Sequence, residues 1–228
     1  MRPLLLLLLL CGPVAAGPWP QAEGRTYGFA GYEDGDEPYS SVYVERGLPH
    51  GLTLGLDAGG KLNGLLASDP DPEAEGRLRA FLRLPVLSSE AERAERPGWL
   101  APWLAAVELG LGPDLERDGD TPLRASVGLT VGRGLQTRLG DGWTTFDLRL
   151  TAGGGGACRL NAASVLGIKP TERLALEMGL FAEREDDTSW AVAPTAQYEL
   201  GGTGAARFGV SFKDGGETVL RLGWARAF

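Results

Sequence analysis

Apolar side chains recur at every second position through most of the chain after its first twenty residues. In one segment, Leu174, Leu176, Met178 and Leu180 alternate with polar or very small residues. Successive side chains of a strand point to opposite faces, so each such segment has one apolar face and one polar face. About twelve segments of this kind follow one another. The length of each is close to the length of about 9–11 residues with which a tilted strand crosses a membrane. The pattern predicts an all-β fold.

The first sixteen residues have the composition of an export signal. Arg2 supplies a positive charge, Leu4–Leu10 form an apolar run, and Ala16 ends a Val-x-Ala cleavage pattern. The run is too short to cross a bilayer as a helix. We therefore expect residues 1–16 to be a signal peptide that is removed on export. Cys11 leaves a lipoprotein signal open, although Leu10 stands where such signals need a small residue.

The rest of the chain reads as one domain. No later stretch reaches about 18 consecutive apolar residues, which excludes a helical membrane protein but not a membrane β-barrel. We expect residues 17–228 to form a single β-barrel domain, of which residues 17–24 are a flexible N-terminal segment.

The alternation leaves two orientations of the barrel open. A secreted or periplasmic soluble barrel would turn its apolar faces inward and bind an apolar ligand, whereas a membrane barrel turns them outward. The polar faces are rich in Gly, Ala, Ser and Thr, which suits a crowded lumen better than a solvated surface. Aromatic residues also occur near segment ends, as in the interfacial belts of membrane proteins: Trp103, Trp143, Trp190, Tyr198, Trp224 and Phe228. We therefore predict a closed up-and-down antiparallel transmembrane β-barrel of about twelve strands.

The last eight residues carry a resemblance to a known class. The segment Arg221-Leu-Gly-Trp-Ala-Arg-Ala-Phe228 resembles the C-terminal assembly signal of bacterial outer-membrane β-barrel proteins. Arg221, Gly223 and Phe228 match that signal, and Arg226 stands where an apolar or aromatic residue is usual. The resemblance implies an outer-membrane location, contact with outer-membrane lipid, and insertion by the barrel assembly machinery. A long Arg side chain near the interface can reach water, which reconciles Arg226 with such a location.

Composition excludes several functions. A formal net charge of −8 lacks the basic footprint of a nucleic-acid binder. The single histidine, His50, lies in a short turn, so a Ser-His-acid or His-acid hydrolase is not expected. One His and two Cys are too few for a His/Cys metal site or a disulfide framework. We therefore expect no catalysis, no cofactor and no metal.

Charged residues on the polar faces are the most informative candidates for function. Six of them are acidic: Asp57, Glu108, Asp147, Glu177, Glu183 and Glu199. Nine are basic: Arg77, Arg79, Arg83, Arg124, Arg149, Arg159, Arg207, Lys213 and Arg221. Buried charges must be paired or hydrated, so the lumen is either filled by salt bridges or is a narrow aqueous pore. The sequence thus favours a monomeric channel for small, possibly anionic solutes, or a structural surface protein. Arg77, Arg79 and Arg83 form the best candidate anion track, to which Arg124 and Arg149 are added.

Overall fold

We analysed a computed structural model of the chain. It describes residues 18–35, 38–61, 75–87, 102–115, 120–153 and 157–228. The expected signal peptide lies outside the described residues. No helix in those ranges is long and apolar enough to cross a membrane.

Twelve antiparallel strands follow one another around a closed barrel. Each strand pairs with its neighbours in sequence, and β12 pairs with β1. The strands are β1 Thr26–Asp34, β2 Tyr39–Gly47, β3 Thr53–Lys61, β4 Gly76–Leu87, β5 Leu104–Leu115, β6 Leu123–Thr137, β7 Gly140–Gly153, β8 Ala157–Lys169, β9 Leu174–Arg184, β10 Thr188–Glu199, β11 Ala205–Lys213 and β12 Thr218–Ala227. The fold predicted from alternation is confirmed.

The segment predicted to be an assembly signal forms the seam of the barrel. The backbone N–H of Phe228 donates to the carbonyl of Thr26 at 2.7 Å, and the N–H of Thr26 donates back at 3.2 Å. The Arg226 guanidinium lies 4.8 Å from the centre of the Phe228 ring on the outer face. The departure from the usual signal is thus accommodated by a cation–π contact.

The two ends of the barrel differ in their connections. We call the end that carries Thr26 and Phe228 the terminus end, and the other the loop end. The turn between β2 and β3 lies at the terminus end and needs positive φ at two residues, His50 (63°) and Gly51 (72°). The β1–β2, β3–β4, β5–β6 and β9–β10 connections join their strands at the loop end. The charged segment Ser88–Gly98 lies outside the described residues.

The apolar faces point outward. Exposed large apolar side chains occur on every strand and include Leu56, Leu109, Leu129 and Leu220. Fully enclosed side chains in the lumen include Glu45 and Thr53, both polar. A soluble barrel with an apolar interior would show the reverse. The alternative of a soluble barrel that binds an apolar ligand is therefore not supported.

Trp143 does not belong to the outer aromatic belt, and that prediction was wrong. Its side chain points into the lumen and is only 5% exposed. The indole lies flat on Gly167 of the adjacent strand, where an added Cβ would come within 2.2 Å of the ring. Trp143 lies two and four residues before Thr145 and Asp147, which also point inward. The alternation along β7 therefore decides the direction of its side chain, although the side chain is apolar.

Residues 18–24 contact the inner wall at the terminus end. Pro18 is fully buried. The Gln21 side-chain amide donates to Glu45 Oε1 at 2.5 Å. Gly47 makes room for the segment, since a Cβ there would lie 2.1 Å from the Ala22 carbonyl oxygen. Gln21 and Ala22 therefore lie beside β2, and Pro18 lies against Gly132 of β6.

Candidate functional site

The lumen is lined by one central cluster of ion pairs, which we call the central network. Its members come from five strands and are Glu45, Asp57, Arg77, Arg79, Arg83, Glu108 and Arg149. Glu108 lies at the centre and receives three arginines. Its carboxylate oxygens lie 3.0 Å from Arg83, 3.2 Å from Arg79 and 3.0 Å from Arg149.

A second carboxylate anchors the network to the wall near the terminus end. Glu45 accepts from Arg83 Nη1 at 3.0 Å and from the Tyr43 hydroxyl at 2.6 Å. Phe81 lies between these groups: its ring stacks on Tyr43 at 5.5 Å, and the Arg83 guanidinium lies 5.4 Å from its centre. These side chains fill the lumen beside β2, β3 and β4.

Another cluster lies near the loop end and joins strand residues to the β9–β10 connection. Asp114 receives Arg124 at 3.1 Å and Arg159 at 3.6 Å. Arg159 also reaches Glu185 at 2.8 Å. Asn161 donates to Glu183 on the neighbouring strand. This loop-end cluster leaves its carboxylates more exposed than the central network does.

Three acids that were not among the candidates drawn from the sequence also point into the lumen. They are Glu33, Glu45 and Asp114, which pair with Arg221, Arg83 and Arg124. The excess of nine bases over six acids drawn from the sequence therefore understates the acidic part of the lining. Glu33 lies on β1, Glu45 on β2, and Asp114 next to the last residue of β5. The signal that could have placed Glu45 inside is the outward direction of Val42 and Val44, which flank Tyr43 in the sequence.

The five arginines of the predicted anion track do not form one continuous track. Arg77, Arg79 and Arg83 lie together on β4, and Arg149 joins them through Glu108. Arg124 belongs to the separate loop-end cluster. Arg79, Arg83 and Arg124 are largely buried, whereas Arg77 and Arg149 reach the open lumen.

The opposite half of the lumen holds a cavity of about 290 Å³. Its lining comes from β1 and from β7 to β12 and includes Phe29, Asp147, Glu177, Phe181, Arg207 and Arg221. None of the central-network residues lines it. The barrel interior is therefore divided into a filled side and an open side.

The remaining candidates for metal binding or catalysis within the described residues are acidic clusters, Cys158 and His50. No group of three or more His, Cys, Asp and Glu within them is placed to hold a metal ion. Cys158 is free and faces outward at the start of β8. His50 lies in the terminus-end turn, away from the ion-pair clusters.

Comparisons with known proteins agree with this architecture. No protein-family model matches the sequence, and no curated protein matches it. Among solved structures, the KdgM porin is similar, with a TM-score of 0.60 at 10% identity over 89% of this chain and 99% of that chain. A second KdgM structure is a complex with disordered oligogalacturonate.

Two further solved structures share the fold. An outer membrane channel from Pseudomonas putida F1 has a TM-score of 0.55 at 14% identity, over 95% of this chain and all (100%) of that one. The NanC porin has a TM-score of 0.56 at 8% identity, over 87% of this chain and 98% of that one. Together with the outward apolar faces, these similarities confirm the resemblance drawn from the last eight residues at the level of the fold: the chain is a closed twelve-stranded barrel of the outer-membrane type.

Proposed function

We propose that the protein is a non-enzymatic outer-membrane channel that passes small solutes, with a preference for anions. The observation that carries this proposal is the arrangement of charge along the open lumen. In three ion pairs along the lumen, the guanidinium group faces the water and its carboxylate partner lies beneath it.

Three ion pairs show this order. Arg77 is 45% exposed and Asp57 11%. Arg149 is 37% exposed and Glu108 6%. Arg207 is 26% exposed and Glu177 9%. At these three pairs the lining presents its positive member to a passing solute, and charge-assisted hydrogen bonds to carboxylate or phosphate become available. The loop-end cluster has the reverse order, with Arg124 5% exposed and Asp114 16%.

The similar structures support the same proposal. All three are channels or porins by description, and one KdgM structure holds an acidic oligosaccharide. Transport to the outer membrane would use the signal peptide at residues 1–16, and insertion would use the barrel assembly machinery. Of the predicted anion track, Arg77 and Arg149 are the members we propose to contact solutes.

Conductance in planar bilayers tests the channel directly. We expect purified folded protein to conduct, and the reversal potential in a KCl gradient to show that chloride passes more readily than potassium. Arg149→Gln should lower this preference, because Glu108 then loses its most exposed partner. Arg46→Gln, on the outer face of β2, is the matched control and should leave the reversal potential unchanged.

A structural surface protein is the second candidate, favoured by the filled side of the lumen. The same experiment separates the two. A folded barrel that conducts no more than the bare bilayer would refute the channel and leave the structural role. A potassium preference would refute the anion proposal alone.

A further inference from the structure

The cavity beside β7 to β12 has the features of a binding site. Its volume of about 290 Å³ approaches the lower end of the range for small-molecule pockets, about 300–1,000 Å³. It opens to the lumen and lies apart from the central network. A binding site here rests on the proposed channel only for the route by which a solute enters.

Two arginines on adjacent strands form its charged wall. Arg207 lies opposite Gly223 in the β11–β12 ladder, and Arg221 lies opposite Gly209. The two residues are therefore diagonal neighbours in the ladder, and each lies opposite a glycine. The Phe29 ring lies over Gly223 and the Thr195 side chain over Gly209, so these side chains border the two arginines.

Each of these guanidinium groups is held in a fixed orientation. Arg207 pairs with Glu177 and lies 5.6 Å from the centre of the Phe29 ring. Arg221 pairs with Glu33 at 2.9 Å and lies 5.6 Å from the centre of the Phe181 ring. A guanidinium has five N–H donors, so one carboxylate partner leaves donors for a solute. Groups fixed beforehand lose little freedom on binding.

Much of the remaining wall is formed by apolar side chains beside glycines, and Thr145 and Thr195 also line it. The Phe181 ring lies on Gly179, where an added Cβ would come within 2.5 Å of Cε2. The Phe29 ring lies on Gly223 in the same way, at 2.6 Å. Because the rings lie along the wall, they do not fill the space between the strands. Ala163, Val165 and Ala193 complete this apolar side.

Two carboxylates also line the cavity, and both are already engaged. Glu177 is held by Arg207. Asp147 accepts the Thr130 hydroxyl at 2.6 Å on the far side, on β7. The wall thus offers unused donors on one side and apolar surface on the other. The hydroxyl groups of Thr145 and Thr195 are the further polar groups that it offers to a solute.

We propose that this cavity binds a small organic anion with one carboxylate on a flat apolar body, such as an aromatic carboxylate. The carboxylate contacts Arg207 and Arg221, and the ring contacts the apolar wall beside Phe29 and Phe181. The site deepens the proposed channel by naming a class of solute that it retains.

Calorimetric titration of the folded barrel in detergent with benzoate tests the site without requiring conductance. We expect benzoate to bind, and Arg207→Gln or Arg221→Gln to weaken it about tenfold or more. The double variant Arg207→Gln/Glu177→Gln removes both members of a pair and should weaken benzoate binding as much as Arg207→Gln alone. That result would show that the loss of binding is not caused by an unpaired Glu177 carboxylate. Arg159→Gln, outside the cavity, should leave the affinity unchanged. Heat-modifiable gel migration establishes that each variant is folded.

Two further probes decide the chemistry. Benzylamine has the same ring with the opposite charge, and galacturonate has a carboxylate on a hydroxylated ring. Absence of benzoate binding, or binding unaffected by both arginine variants, would overturn the site. Tighter binding of benzylamine would assign the cavity to Asp147 and Glu177 instead. Equal binding of galacturonate would overturn the apolar part of the proposal. Conductance in KCl without benzoate binding would leave the channel standing.

Discussion

At the scale of single residues, the exposure of an ion pair decides what it contributes. Arg83 is buried between two carboxylates, whereas Arg77 stands at the edge of the open lumen. A buried charge without a partner is costly, and an exposed pair contributes little. The same residue type on one strand therefore stabilises the wall at one position and faces solute at another.

Replacing Arg83 should destabilise the barrel strongly. Arg83→Met leaves Glu45 without its cation, and we expect the free energy of unfolding to fall by about 3–5 kcal/mol. Urea unfolding in detergent, followed by tryptophan fluorescence, measures the change. Arg77→Met is the control on the same strand and should change it by less than about 1 kcal/mol. Equal effects of the two substitutions would contradict the buried network.

Sequence alone placed these arginines inside but could not pair them. Alternation gives the face of each side chain, so the inward direction of Arg79, Arg83 and Arg149 followed from their neighbours. Their partners depend on the stagger between strands that are distant in sequence, which no local pattern contains. Glu45 is 38 residues from Arg83, and its role emerges only once β2 and β4 lie in one barrel.

At the scale of the strand, small residues are matched to large ones across the ladder. Gly55 on β3 lies opposite Phe81 on β4. A Cβ at Gly55 would come within 2.2 Å of the Phe81 ring. Phe81 is enclosed by Tyr43 and the arginine side chains, so it has no room to move aside. The glycine-rich polar face noted in the sequence is thus explained in part by bulky lumen residues.

Adding a methyl group at Gly55 should therefore strain this pair. We expect Gly55→Ala to lower the free energy of unfolding by about 1–3 kcal/mol. The double variant Gly55→Ala/Phe81→Leu should recover part of that loss, because the smaller side chain yields space. Gly28→Ala, whose Cβ would meet nothing closer than 4.0 Å, is the control. A double variant that is simply the sum of both single losses would refute the steric match.

Strand existence and parity were predictable because twelve segments repeat one period. Strand ends were less predictable: β5 extends to Leu115, so Asp114 lies within the strand and pairs with Arg124 in the lumen. Trp143 was misplaced because its bulk and position near a strand end suggested an interfacial residue. Its parity with Thr145 carried the correct answer.

At the scale of the whole molecule, the barrel is inside out relative to a soluble protein. Leu129 is 43% exposed on the outer face of β6, and its neighbours in sequence, Gly128 and Thr130, face the lumen. The free energy of this arrangement depends on lipid or detergent around the outer wall. The division into a filled side and an open side could not be predicted, because it arises from side chains of many strands together.

A charge on the outer wall should therefore destabilise the barrel in a depth-dependent way. We expect Leu129→Arg to lower the free energy of unfolding in lipid vesicles by about 2–4 kcal/mol. Leu139→Arg, in the exposed turn between β6 and β7, should cost about 0–1 kcal/mol. Urea titration of both variants measures the difference. Equal tolerance at the two positions would mean that Leu129 does not face the bilayer.

The seam between β1 and β12 has a consequence for the order of events in making this protein. The edge of β1 that faces away from β2 finds its partner only after eleven other strands have been added. Until then its row of amide and carbonyl groups is an open template, which any stray strand could join. The free edge of β1 must therefore be kept from pairing with other strands until β12 pairs with it.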